Sequence, residues 1–167
     1  MVLHLSSKAR LFWPLAITLL VADCSTKNLA VEHLSPAHVP HAVVGDWLRL
    51  TLDYNPGAAL GVTLGPYSRV GFAVLAICAL AVLINFYRAT PPSETSRGFA
   101  LALLMAGAAG NLLDRLRWPL GVVDFIDVGV GAHRFYTFNV ADACITAGAV
   151  ALAVVLWRTP RTFESEP

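Results

Sequence analysis

The segment VGFAVLAICALAVLINFY, residues 70–87, decides the fold class of this chain because it contains no charged residue. A helix needs about 20 apolar residues to cross a bilayer core that is ~30 Å thick. The whole chain of 167 residues is 56% hydrophobic and 14% charged, whereas charged residues make up about 25% of a typical soluble domain. The sequence therefore predicts a membrane protein. The net charge of +1 gives no reason to expect a nucleic acid as partner.

Three further apolar segments, residues 11–22, 98–113 and 143–157, each end beside an aspartate. Each segment reaches a spanning length only if its helix includes that aspartate. The three aspartates are Asp23, Asp114 and Asp142. We predict one integral membrane domain, residues 1–167, with four spans at approximately residues 11–31, 69–88, 98–116 and 138–158. Because successive spans alternate in direction, the three aspartates are expected toward one membrane face.

The distribution of basic residues indicates which face that is. The termini and the loop between the second and third spans carry six basic residues in short segments, Lys8, Arg10, Arg88, Arg97, Arg158 and Arg161. The other side also carries six, spread over longer loops, Lys27, Arg49, Arg69, Arg115, Arg117 and Arg134. Basic residues in short loops beside the spans favour the cytoplasmic side. We predict that both termini are cytoplasmic and that the aspartates lie toward the outer face.

The outer segment between the first two spans, residues 32–68, shows the pattern of a surface sheet. Leucines alternate with polar residues over 48–53, which predicts a half-buried strand. The sequence NPG at 55–57 predicts a turn, and residues 58–64 are suited to a returning strand. Similar alternation appears at 133–138. The predicted fold class is an all-α membrane protein with four transmembrane helices and a small surface β-sheet, or cradle, on the outer side.

The N-terminal segment resembles a secretory signal that ends at a lipid-modified cysteine, because an apolar run leads to VADC at 21–24. Such cleavage sites require small residues before the cysteine, and Asp23 does not meet this requirement. We expect the segment to be retained as the first span.

Asp23 and Lys27 are four residues apart and would share one helix face. Two interpretations are open. The pair is either an ion pair at a helix end, with Lys27 extending to the membrane interface, or a pair that positions a substrate.

The third span carries Asn111, Asp114 and Arg115 on one helix face. Small residues recur every four positions before them and allow close helix contact. The three polar groups either hold the bundle together, with Asp114 and Arg115 paired, or belong to a functional site. Asn139 and Asp142 repeat the spacing on the fourth span, and this repetition favours a site.

Asp124 lies between these two spans, in VVDFI at 122–126. If it approaches Asp142, burial and mutual repulsion allow the two carboxylates to share one proton. One carboxylate can then activate water while the other, protonated, polarises a carbonyl. Asp127 is interpreted as an exposed loop acid. The five histidines give no ligand geometry for a metal, and we predict no metal and no cofactor.

These residues fall into ordered blocks: DCSTK at 23–27, NPGAA at 55–59, GNLLDR at 110–115 with VVDFI at 122–126, and FNVAD at 138–142. In this order, and over nearly the whole chain, they resemble the bacterial lipoprotein signal peptidases, the signal peptidase II family.

The resemblance implies an intramembrane aspartic endopeptidase of the bacterial plasma (inner) membrane. It would cleave diacylglyceryl-modified prolipoproteins just before the lipobox cysteine, as a monomer in contact with membrane lipid. Asp124 and Asp142 would be catalytic. The residues that would bind substrate or support the site are Asp23, Lys27, Asn55, Gly57, Ala58, Asn111, Asp114, Arg115 and Asn139.

The main alternative is a small proton- or ion-coupled membrane transporter, because intramembrane acids also mark ion paths. Transporter sites lie near the midplane of the bilayer, whereas the acids here lie toward one face. A non-catalytic scaffold is a second alternative, but it would be expected to lack one of the two aspartates.

Overall fold

The computed structural model describes residues 6–57 and 64–158 of the chain. Among these residues, four helices are long and apolar enough to cross a membrane. They are α1 (Ser7–His33), α2 (Ser68–Ala89), which a short 3₁₀ turn at Gly65–Tyr67 precedes, α3 (Thr95–Arg117) and α4 (Val140–Arg158). With the sheet described below, these helices confirm the predicted fold class.

The helices extend past the charged residues instead of ending at them. Helix α1 continues beyond Lys27 to His33, so Asp23 lies well inside the helix. Helix α3 likewise contains Asp114, and only Asp142 lies in a first helical turn. Charged groups inside an apolar helix need partners from neighbouring elements.

Helix α3 is the central helix of the bundle and packs against α1, α4 and α2. Its buried face carries small residues, including Ala102, Ala106 and Gly107, which let neighbouring backbones approach closely, as expected for helices packed within a membrane. Phe12 and Leu101 are fully buried in this interface, near the N-terminal ends of α1 and α3.

The sheet has four antiparallel strands in the order β1-β2-β3-β4. The strands are β1 (Pro40–Val44), β2 (Leu48–Asn55), β3 (Val122–Val130) and β4 (His133–Arg134). Strand β2 matches the predicted strand at 48–53. Most of the predicted return strand at 58–64 lies outside the described residues. Sequence alternation did not reveal β3 because most of its residues are buried whichever face they occupy, and period two marks only half-buried strands.

The sheet docks on the C-terminal end of α1 through a second apolar core. Leu52 and Val123 are buried there against Ala30 and Leu34 of the helix region. The pairing of β2 with β3 sets Asn55 opposite Val122. Residue 121 must be glycine, because its φ is +110° and an added Cβ would meet the Pro56 Cα at 2.7 Å. The start of β3 is thereby held against the end of β2.

Gly107→Ala is expected to lower the thermal unfolding temperature, because the new Cβ would lie 2.7 Å from the Ile145 Cγ1 and would press on the α4 backbone. Overpacking costs about 1–3 kcal/mol, against about 1 kcal/mol gained in helix propensity. Gly71→Ala is the matched control, since its Cβ would meet chiefly the end of the Leu64 side chain, which can rotate away. Equal unfolding temperatures for the two variants in detergent, measured by circular dichroism, would contradict the close α3–α4 contact.

Candidate active site

A buried ammonium group joins the first and third helices. Lys27 Nζ lies 2.8 Å from Asp23 Oδ2 and 3.0 Å from Asp114 Oδ2, and it donates to Asn111 Oδ1 at 3.0 Å. Lys27 is only 1% exposed. Its side chain therefore points into the protein and does not extend to the membrane interface.

The two carboxylates of this cluster also hold the backbone of other elements. Asp23 Oδ1 accepts the Ala141 N–H at 2.8 Å, at the start of α4. Asp114 Oδ2 accepts the Val123 N–H at 3.0 Å, on β3. The predicted alternative in which Asp114 pairs with Arg115 is wrong, because Asp114 pairs with Lys27.

Two asparagines connect this cluster to the predicted catalytic aspartates. Asn111 Nδ2 donates to Asp142 Oδ1 at 2.7 Å. Asn139 Nδ2 donates to Asp124 Oδ1 at 2.6 Å and to Asn111 Oδ1 at 3.1 Å. The Asn139 Oδ1 accepts the Asp142 backbone N–H at 2.9 Å. Asp124 and Asp142 therefore belong to one continuous hydrogen-bond network.

Asp124 is the more enclosed of the two acids, at 2% exposed, while Asp142 is half-buried. Burial, and then repulsion from the Asp142 carboxylate, raise the pKa of Asp124 to about 7. Hydrogen bonds from Asn139 and from Asn55 Nδ2, the latter at 3.2 Å to Asp124 Oδ2, oppose this rise. Asp124 is thus suited to hold a proton near neutral pH.

Arg115 and the end of β2 complete the polar region. Arg115 donates from Nη1 to the Asn111 carbonyl at 3.1 Å and from Nη2 to the Gly57 carbonyl at 2.6 Å. Asn55 Oδ1 accepts the Gly57 N–H at 2.9 Å. Ala58, which was also predicted to belong to the site, lies outside the described residues.

A cavity of about 600 Å³ lies between α2, α3 and α4 and ends at these polar groups. Its walls are mostly apolar, and α2 supplies Phe72, Leu75, Ala76, Ala79, Val82 and Leu83. The polar residues that line it are Asn55, Asn111, Arg115, Asp142 and Thr146. Such a site can hold an apolar ligand against the Asp142 carboxyl group.

The family model described as signal peptidase (SPase) II matches residues 15–158. The chain belongs to the signal peptidase II family.

Individual relatives agree with this membership. A lipoprotein signal peptidase of Coxiella burnetii is 37% identical over 161 residues, which cover 93% of this chain and 96% of that protein. One of Pseudomonas fluorescens is 37% identical over 168 residues, covering 93% of each. One of Geobacillus kaustophilus is 33% identical and covers 86% of this chain and 90% of that protein. The transporter alternative finds no support among these relatives.

Solved structures agree with the fold. A bacterial membrane enzyme determined by the in meso method at 2.3 Å resolution superposes with a TM-score of 0.79 at 25% identity, covering 99% of each chain. A second, at 1.9 Å resolution, gives a TM-score of 0.77 at 26% identity, covering 95% of this chain and 100% of that one.

Asp127 was predicted to be an exposed loop acid, and this prediction is wrong because Asp127 is buried in β3. It is 7% exposed, and its Oδ1 lies 2.5 Å from Arg134 Nε. Its Oδ2 accepts a hydrogen bond from Thr51 at 3.1 Å. This pairing ties β3 to β2 and β4. The alternation at 133–138 was the available signal that a partner strand lay nearby.

No group of three or more His, Cys, Asp or Glu side chains within residues 6–57 and 64–158 is arranged to hold a metal ion. Of the five histidines, His33, His38, His41 and His133 are exposed, and His4 lies outside the described residues.

Asp142→Asn is expected to lower the pKa of Asp124 below about 7, because it removes the second-largest cause of the shift. The pKa should stay above its ordinary value, since burial remains. The measurement is a ¹³C NMR titration of labelled aspartate carboxyls in detergent micelles. Asp53→Asn is the control. Asp53 faces Asp124 in the β2–β3 register, but its side chain is 40% exposed beside His38. An unchanged Asp124 pKa in Asp142→Asn would show that the two carboxyl groups do not interact.

Proposed function

We propose that this chain is an intramembrane aspartic endopeptidase that removes signal peptides from prolipoproteins. The observation that carries the proposal is the position of Asp142 at the cavity, joined through Asn139 and Asn111 to the buried Asp124. Membership of the signal peptidase II family and the names of the relatives support the reaction class and the lipoprotein substrate.

The two aspartates have different environments that suit complementary steps. Asp142, half-buried at the cavity, takes a proton from water as the water oxygen attacks the scissile carbonyl carbon. Asp124, whose pKa is raised to about 7 by burial and by Asp142, donates its proton to the carbonyl oxygen. Collapse of the tetrahedral intermediate breaks the C–N bond: Asp142 returns its proton to the leaving nitrogen, and one hydroxyl of the intermediate gives its proton back to Asp124 as the C=O bond re-forms. The products are a carboxylate on the signal peptide and a free α-amino group on the cysteine.

The other predicted site residues support this pair in three ways. Asn139 and Asn55 donate to Asp124, and Asn111 donates to Asp142. The cluster of Asp23, Lys27 and Asp114 holds α1, α3, α4 and β3 together. We assign Arg115, with Gly57 beside it, to substrate positioning, because Arg115 lines the cavity and its Nε is buried without a hydrogen-bond partner in the described part of the chain.

The apolar cavity suits a substrate that carries lipid. A diacylglyceryl chain attached to the cysteine can occupy the space beside α2 while the peptide lies against the aspartates. Such a substrate reaches the cavity sideways from the bilayer, in contact with membrane lipid. We propose that the protein acts as a monomer and as one integral membrane domain, since the aspartates, the asparagines and the cavity walls all come from a single chain. The two aspartates supply the chemistry, and the mechanism uses no cofactor.

Asp124→Asn and Asp142→Asn are each expected to reduce cleavage of a diacylglyceryl-modified prolipoprotein by purified protein to background, because one carboxyl group cannot supply both the base and the acid. The readout is release of signal peptide in detergent, resolved by mass spectrometry, with circular dichroism to confirm folding. The wild type is expected to cut the lipidated substrate faster than the same peptide without lipid.

Asp53→Asn is the matched control, an aspartate of the adjoining strand whose side chain is 40% exposed. It should retain wild-type turnover. Substantial cleavage by folded Asp124→Asn or Asp142→Asn would rule out the aspartic mechanism, and equal rates with and without lipid would rule out the role assigned to the cavity.

We also propose that both termini are cytoplasmic and that the site lies toward the outer face of the bacterial inner membrane, as the basic residues in the short segments indicate. Alkaline phosphatase fused after Arg158 is expected to be inactive, and the same enzyme inserted after Gly45, in the β1–β2 turn, is expected to be active, because it requires export. The reverse pattern of activities would show that the orientation is inverted.

A further inference from the structure

We propose that Lys27 is a positioning residue for Asp142. Acting through Asn111, the Lys27 ammonium group makes one oxygen of Asp142 a hydrogen-bond acceptor. The proton shared by Asp142 and Asp124 is then confined to the Oδ2 atoms of these two aspartates. The inference rests on the proposed function, since it concerns the same pair of aspartates. It gives Lys27 a role in the chemistry beyond joining helices.

The first step is the chemistry of the ammonium group, which has three donors and no acceptor. Lys27 Nζ has three partners within 3.0 Å, the carboxylates of Asp23 and Asp114 and the side chain of Asn111. The Asn111 atom that faces Lys27 must therefore be its carbonyl oxygen, because an NH₂ group there would set donor against donor. The charge on Lys27 thus decides the orientation of the Asn111 amide.

The second step follows from that orientation. With Oδ1 turned to Lys27, the Nδ2 of Asn111 faces Asp142 Oδ1 at 2.7 Å. Asp142 Oδ1 must accept this hydrogen bond, so it cannot direct a proton toward Asn111. Asn139 reinforces the orientation, because its Nδ2 donates to the same Asn111 Oδ1 at 3.1 Å.

The third step applies the same reasoning to Asp124. Asn139 Oδ1 accepts the Asp142 N–H at 2.9 Å, so its Nδ2 must face Asp124 Oδ1, which it does at 2.6 Å. The short amide bonds therefore go to the Oδ1 atom of each aspartate. Asp124 Oδ2 receives only the longer contact from Asn55, at 3.2 Å. Asp142 Oδ2 accepts no hydrogen bond from residues 6–57 and 64–158. The proton shared by the two aspartates is therefore placed on Oδ2 of Asp124 or of Asp142.

Several charged groups face this pair from the packed elements. They are Asp23 and Lys27 on α1 and Asp114 and Arg115 on α3. Within the pair, the Asp142 carboxylate also acts on Asp124. Removing the Lys27 charge would act on Asp142 directly through space as well as through the Asn111 amide. The path from Lys27 through Asn111 to Asp142 is a relay, and a test of this relay must separate the effect through Asn111 from the direct effect of the Lys27 charge.

The test measures kcat, KM and the pH profile for cleavage of the lipidated prolipoprotein by Lys27→Met, Asn111→Leu and the double variant, each per folded molecule. We expect each single variant to move the acidic limb of kcat/KM upward by about one pH unit, because the ionised Asp142 carboxylate, which acts as the base, loses a hydrogen-bond donor. We expect kcat to fall about tenfold while KM stays within about twofold of the wild-type value. The variants lose stabilisation of the transition state and keep the contacts that bind the substrate. The double variant should show the same shift as Lys27→Met alone, since Asn111→Leu removes only the link that Lys27→Met has already broken. Any excess of the Lys27→Met shift over the Asn111→Leu shift measures the direct effect of the Lys27 charge.

Lys8→Met is the matched control. Lys8 is a buried lysine near the other end of α1, and its Nζ donates to the carbonyls of Tyr87, at 2.6 Å, and Thr90. The variant should lose thermal stability without any shift in the pH profile. Asn111→Leu keeps the pairing of Lys27 with Asp23 and Asp114, so it tests the relay even if Lys27→Met does not fold.

A wild-type pH profile in Asn111→Leu, or shifts that add in the double variant, would overturn the relay. Asp124→Asn and Asp142→Asn are measured alongside. If both are inactive while Asn111→Leu has the wild-type profile, the relay alone fails. If either is active, the proposed aspartic mechanism fails, and the relay fails with it.

Discussion

The ion pairs of the buried Lys27 ammonium group with Asp23 and Asp114 hold together the elements that build the site. A charge at membrane depth is costly unless it is paired and fully hydrogen-bonded. Lys27 meets this requirement with Asp23 and Asp114, and these carboxylates in turn bind the backbone at Ala141 and Val123. One charge cluster thereby fixes α1, α3, α4 and β3 relative to one another. The last two of these elements carry the aspartates of the site.

The site combines this polar cluster with an apolar cavity, and the combination accounts for its chemistry. Burial away from water, with Asp142 beside it, favours the protonated form of Asp124. The cavity beside α2 has mainly hydrocarbon walls and offers room for a lipid-bearing chain. Under the proposed function, the apolar walls would hold the lipid of the substrate, and burial would keep Asp124 protonated for the proton transfer.

The β-sheet shows where local sequence patterns stop being informative. Strand β2 was predictable because its leucines alternate, but β3 is enclosed on both faces and has no such alternation. Asp127 therefore looked like an exposed acid, whereas it is paired with Arg134 and Thr51. Both partners are on neighbouring strands, and no spacing along the chain predicts a cross-strand ion pair. Strand β3 also carries Asp124, so the strand that positions this aspartate could not be predicted from local alternation either.

The four apolar helices, the strand at β2 and the residue types of the site could be predicted from the amino-acid sequence, because these depend on composition and on spacing within single elements. It also brought Asn111, Asp114 and Arg115 to one helix face, and Asn139 and Asp142 to another. Which of these groups are partners follows from how the helices and strands pack together. Lys27 pairs across helices with Asp114, and the asparagines link the two aspartates. The physical reason is that a buried polar group takes its partner from whichever element packs against it, and packing is a property of the whole fold.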